Sequence, residues 1–171
     1  MENRSKGKII HLEVYTDGSL KKGLPTMTFG GWSFIVLQDT KKIYDAAGSE
    51  VNTTNQRMEL EAIRKGLEYV STIRRPNEHV IIYSDSAYAI NCYLQEWYIN
   101  WQHNGWINTS KQPVANQDLW YDIIPYFDNF WYDFRKVKGH GDNYWNIKCD
   151  EMAQAEAEKL RLNWRGYNEK Y

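Results

Sequence analysis

The sequence predicts an α/β fold in which helices cover both faces of a five-stranded mixed sheet. Three observations carry this. From Ile10 to Ala47 apolar and polar residues alternate in successive runs, the period of strands joined as a meander. From Gln56 the period lengthens, with Leu60, Ile63, Leu67 and Val70 on one helical stripe that stops before Pro76. Val80, Ile81, Ile82 and Tyr83 then form a short apolar run reached through that helix, and a strand reached by such a crossover lies parallel to its neighbour.

Taken in order, residues 1–8 read as a loose arm, and one domain is expected from residue 9 to residue 171. Ile10, Leu12 and Val14 alternate with His11, Glu13 and Tyr15 in a first strand that ends on Asp17. Gly18 and Ser19 then turn the chain into a polar loop reaching Thr28. Gly30–Leu37 and Lys42–Ala47 supply the next two strands. The helix from Gln56 carries Glu59 near its start, four residues before Ile63 and so close to the side that faces the sheet. The Val80–Tyr83 strand closes on Asp85. A helical stretch from Ser86 to Glu96 runs into WYINWQHNGW, where Trp97 and Trp101 are four apart and share a face before Gly105 interrupts the pattern. A helix over 116–127, a last strand over Trp131–Val137, a KGHGDN loop with glycines on both sides of His140, and a final helix over 144–162 carrying Asp150 complete the chain.

Composition narrows the classes. Hydrophobic residues make up 42% and charged residues 25% of the 171, which excludes wholesale disorder. No apolar run reaches the ~18 residues of a membrane span, and the polar, basic start lacks the apolar stretch of a signal peptide. A cytoplasmic protein is expected. Cys92 and Cys149 are far apart and outside any CxxC pair, so they read as free thiols. A formal charge of −1 argues against capture of nucleic acid by bulk charge, although small basic pairs such as Lys21/Lys22 and Arg74/Arg75 are spread along the chain. Eight Trp and thirteen Tyr exceed the usual need of a core this size, which places some of them on a binding surface.

Four acids stand out from this background: Asp17 in VYTDGS, Glu59 in TTNQRMELEAI, Asp85 in IYSDSAYAI and Asp150 in KGHGDNYWNIKCDEMA. Asp17 and Asp85 close apolar strands, and the ends of neighbouring strands lie about 5 Å apart. Carboxylates held that close repel one another unless a cation neutralises them. Hard oxygen ligands of this kind favour Mg²⁺ or Mn²⁺, and a paired-metal site points to phosphate chemistry.

TDGS, TTNxRMELEA, SDS followed two residues later by Tyr, and VKGH…N…CDE occur in one order with compatible spacing, and from Ile9 to Leu160 the chain resembles the type 1 ribonucleases H, endonucleases that cut RNA paired to DNA. The resemblance implies a ribonuclease H-like fold with a helical handle. It implies that Asp17, Glu59, Asp85 and Asp150 are the metal-binding, catalytic carboxylates and His140 a further catalytic group, ten residues before Asp150. It implies that Thr54 and Arg57 form a phosphate pocket with Asn55 alongside, and that Trp97, Trp101 and Trp106 belong to the handle that holds the hybrid. The implied cofactor is Mg²⁺, with Mn²⁺ substituting and two ions per site when substrate is bound. The implied partner is an RNA–DNA hybrid bound by a monomer. The segment LKKGLPTMTFGG departs from the shorter turn common in the family, and Gln102, His103, Asn104 and Ile107 stand where basic handle residues are usual, leaving Lys111 almost alone. Gln56 and Ala87 also replace common family residues and should tune substrate contacts.

Paired metals would acidify an attacking water and screen the departing oxygen, and the resemblance implies 5′-phosphate and 3′-hydroxyl ends. His140 suits proton shuttling, because an unperturbed imidazole titrates near pH ~6.5. Selecting RNA requires reading the 2′-hydroxyl, for which the backbone from Asp17 to Ser19 and the side chains of Asn55, Gln56 and Ser86 are candidates. Each residue also has a plainer reading. Thr54 can cap a helix, Arg57 can pair with a nearby acid, and tryptophans at helical spacing can be core. Two other functions stay open: a non-catalytic module that binds hybrid or double-stranded RNA, and a nuclease of the same broad fold acting on DNA junctions or flaps. Retention of four mutually repelling acids argues against the first, and the TTNxRME and VKGH…CDE patterns argue against the second.

Overall fold

The computed structural model describes residues 11–23, 26–137 and 143–168, with side chains as far as residue 164. Its elements are β1 (His11–Lys22), β2 (Thr28–Gln38), β3 (Lys41–Val51), α1 (Asn55–Ile73), β4 (His79–Ser84), α2 (Ala87–Leu94), α3 (Trp97–Asn104), α4 (Gln117–Phe127), β5 (Tyr132–Lys136) and α5 (Tyr144–Asn168). The five strands form one sheet in the order β3-β2-β1-β4-β5. β1, β2 and β3 pair antiparallel, as a meander must, whereas β4 and β5, each reached through helices, pair parallel. This is the predicted mixed α/β sheet.

Strand alternation gives the sheet two apolar faces. Leu12 and Val14 of β1 and Phe34 and Val36 of β2 join Leu60, Ile63 and Leu67 of α1 in the larger core. Tyr15, Ile35 and Leu37 point the other way, where Cys149, Trp145 and Met152 of α5 meet them. Seating α5 requires small residues. A Cβ on Gly31 would lie 1.9 Å from the Ala153 carbonyl oxygen, and Ala153 and Ala157 are fully buried. At the same junction the Ser33 hydroxyl donates to the Cys149 carbonyl at 2.6 Å.

β3 runs on to Val51 and α5 to Asn168, past the expected ends at Ala47 and residue 162, and two further differences bear on the site. β1 does not end on Asp17 but continues to Lys22, because its antiparallel ladder with β2 persists to Lys22↔Thr28. Gly18 is therefore no turn residue. It is where α1 crosses the strand, and a Cβ there would come within 2.5 Å of the Glu59 amide nitrogen. The second difference is at Glu96, whose left-handed φ of 56° splits the expected continuous helical stretch into α2 and α3. The loop carrying His140, and the arm over residues 1–8, lie outside the described residues.

Candidate active site

Parallel pairing between β1 and β4 stops at Tyr15↔Tyr83. Continued by two residues, that register would set Asp17 opposite Asp85, so the two acids stand where the neighbouring strands part. Asp17 stays buried at 2% exposure because β2 still flanks it, and its Oδ1 accepts the Gly18 amide at 2.8 Å. Asp85 follows directly on β4 and is exposed. Glu59 enters from the first turn and a half of α1, aimed down by the close contact of that helix with Gly18, and is only 5% exposed. One carboxylate oxygen from each of Asp17, Glu59 and Asp85 lies within 4.8 Å of the others, an arrangement able to hold a metal ion.

The electrostatics of this cluster follow from burial and repulsion. Burial first, then the charges of Asp85 and Asp150, push the Asp17 carboxyl up to about 7. Glu59 is raised well above the usual carboxylate range by burial and then by Asp17 and Asp85. Desolvation also raises Asp85, with a hydrogen bond to Glu59 acting against it and the charge of Asp150 adding to it. Glu59 Oε2 is buried with no hydrogen-bond partner, a costly state for a carboxylate oxygen unless a cation meets it. Asp150 borders the cluster from the second turn of α5 and acts on Asp17 and Asp85 through its charge. Its Oδ2 instead accepts from Gln154 Nε2 at 2.8 Å, one turn along its own helix. His140 belongs to the undescribed segment.

The other predicted residues surround this centre. Ser19 is half-buried in the β1 extension, paired with Gly31. Thr54 caps α1, its hydroxyl accepting the Arg57 amide at 3.1 Å, and Asn55 and Gln56 are exposed in the first turn. Ser86 caps α2 by accepting the Ala89 amide at 3.2 Å. A cavity of about 770 Å³ opens beside α1, and Gln56, Tyr88, Trp97, Asn100 and Trp101 are among its walls. Trp97 is half-buried there. Trp101 is 8% exposed and packs edge-on against the fully buried Trp120 at 5.5 Å, so it is core as much as wall. Trp106 sits behind it, against Trp101 and Tyr121.

Sequence reasoning missed Asp118. The Arg57 guanidinium donates to both of its carboxylate oxygens, Nη1 to Oδ1 at 2.9 Å and Nη2 to Oδ2 at 2.6 Å, and Nε reaches Glu50 Oε1 at 3.3 Å. Asp118 lies 61 residues from Arg57, in the first turn of a helix with no motif of its own, so no local signal could have paired them.

Comparison with known proteins gives the family. The RNase H family model matches residues 10–158. A ribonuclease H of Thermoanaerobacter sp. (strain X514) is 42% identical over 155 residues, which cover 90% of this chain and 92% of the relative. The fold is shared with LC9-RNase H1, a type 1 RNase H with the type 2 active-site motif, at a TM-score of 0.68 and 20% identity, covering 89% of this chain and 74% of that one. It is shared also with LC11-RNase H1, solved in complex with RNA/DNA hybrid, at a TM-score of 0.62 and 17% identity, covering 87% and 98%. The chain belongs to the RNase H family. Within that family its enzymatic relatives are ribonucleases H, and it too is a ribonuclease H.

Proposed function

We propose that this enzyme hydrolyses the RNA strand of RNA–DNA hybrids endonucleolytically by a two-metal-ion mechanism, leaving 5′-phosphate and 3′-hydroxyl ends. The observation that carries the reading is the cluster of the buried Asp17 and Glu59 with the exposed Asp85, and the Glu59 oxygen that no protein group satisfies. An all-oxygen donor set of repelling carboxylates fits a hard divalent cation such as Mg²⁺, with Mn²⁺ as a substitute. Asp17, Glu59 and Asp85 would hold it, with Asp150 completing the set for a second ion. When bound, such ions supply a more acidic attacking water on one side of phosphorus and charge neutralisation at the leaving oxygen on the other.

The chain's own residues do the rest. Gly18 gives Asp17 an amide donor that fixes one oxygen while the other is left to the cluster. Caps at Thr54 and Ser86 end two helices at the rim and present their N-termini, where phosphate oxygens are favoured. Ser19, Asn55, Gln56 and Ser86 lie around the carboxylates on the exposed or half-buried surface, where a ribose 2′-hydroxyl would be read. Thr54, Asn55 and Arg57 would take a phosphate, while Trp97 and Trp101, with Trp106 behind them, would brace the cavity wall against the hybrid. His140 is assigned to proton transfer or product departure, and a single ribonuclease H domain begins at residue 9.

The test is cleavage of end-labelled RNA in a hybrid, an RNA duplex and a DNA duplex with Mg²⁺. RNA cut only in the hybrid, with products that ligate through a 5′-phosphate, is the expected result; cutting of the DNA duplex would contradict it. Within the same assay, His140→Ala slows turnover whereas Asp85→Asn nearly abolishes it, and equal losses would contradict the division of roles.

A further inference from the structure

Arg57 is proposed above to bind a backbone phosphate, yet in the free protein its fork is already filled. Asp118 takes two of its donors in the bidentate geometry that a phosphate would use, and Glu50 takes a third. The group therefore sets one cation against two anions, a balance that repels an incoming phosphate. Asp118 is well placed to move: its side chain is 61% exposed and that of Arg57 28%, and it stands in the first turn of α4.

We propose that Asp118 sets the strength of hybrid binding by occupying the Arg57 fork in the free enzyme and exchanging it for a substrate phosphate when the hybrid binds. The carboxylate and a phosphodiester each carry one negative charge and offer two oxygens, so the exchange preserves the guanidinium's bonds. It also keeps Arg57 extended and oriented between encounters, where an unpaired side chain would sample many rotamers. The cost appears as affinity, because each binding event must first break an existing ion pair. The exchange has a second signature. An arginine already neutralised by Asp118 adds little to the salt dependence of binding, whereas an uncompensated one adds a full phosphate contact.

The inference rests on Arg57 as a phosphate ligand, and the experiment separates the two. Initial rates on a short RNA–DNA hybrid with Mg²⁺ are measured across a range of KCl for the wild type, Arg57→Ala, Asp118→Asn and the double variant. Asp118→Asn is expected to lower KM about three- to fivefold, and to steepen the slope of log KM against log salt by up to about one. Arg57→Ala is expected to raise KM, and the double variant to match Arg57→Ala. An Arg57→Ala variant with wild-type KM overturns the phosphate reading itself. A raised KM in Arg57→Ala together with an unchanged or raised KM in Asp118→Asn overturns only the exchange, and makes Asp118 a fixed support for the arginine.

Discussion

Asp17 destabilises the protein wherever no cation is near it, because a buried carboxylate facing Glu59 and Asp85 must either carry its charge against them or take up a proton. With its folded-state value raised from 3.8 to about 7, the native protein holds a proton there that the unfolded chain has released. The resulting stability is fully present below about 3.8 and is lost as pH rises through about 7. In EDTA, Asp17→Asn should therefore raise Tm relative to the wild type at pH 8, with the difference shrinking toward pH 4, as thermal melts across that range would read. A variant less stable than the wild type at pH 8 would contradict the repulsion argument. At this scale the sequence was informative wherever a residue sat in a motif. Of the four acids singled out by their motifs, three bring one carboxylate oxygen each within 4.8 Å of the others. Asp118 was not legible, since it meets Arg57 only through the tertiary packing of α4 near α1.

Elements position the acids, and their close approaches depend on glycine. Gly31 lets α5 rest on β2 just beyond Asp150, and its missing Cβ would collide with the backbone of Ala153, which cannot swing aside as a side chain can. Gly31→Ala should cost about 1–3 kcal/mol in a urea melt. It should also lower kcat, because α5 carries Asp150 away from Asp17 as it shifts. A full-activity, full-stability variant would show that α5 is not seated in this way. The same kind of contact explains the misread strand. Gly18 and Ser19 look like a turn in sequence, but Gly18 is small because α1 crosses it, and the β2 partner that keeps β1 extended lies beyond the expected loop. Elements with a clear pattern, such as the long helix α1 and the short apolar strand β4, matched their expected positions within two residues.

Across the whole molecule the topology was legible because the change from a period of two to one of 3.6 marks where a meander gives way to crossovers. The aromatic excess was less legible. Tyr98, Trp120 and Phe127 are buried in the core, and Trp101 joins them, so much of what looked like binding surface packs α2, α3 and α4 together. Function at this scale also turns on charge. With a net charge of −1 and a handle whose described cations are few, hybrid binding should depend less steeply on salt than in a relative with a basic handle. Parallel KCl titrations check this, and equal slopes would defeat it. The most direct test of the central claim is hybrid cleavage by the wild type and by Asp17→Asn, each with Mg²⁺ and with EDTA. The wild type should cleave RNA with Mg²⁺ and not with EDTA, and the folded variant should cleave none. Cleavage that survives either the chelator or the substitution would show that the Asp17, Glu59 and Asp85 cluster is not the catalytic centre.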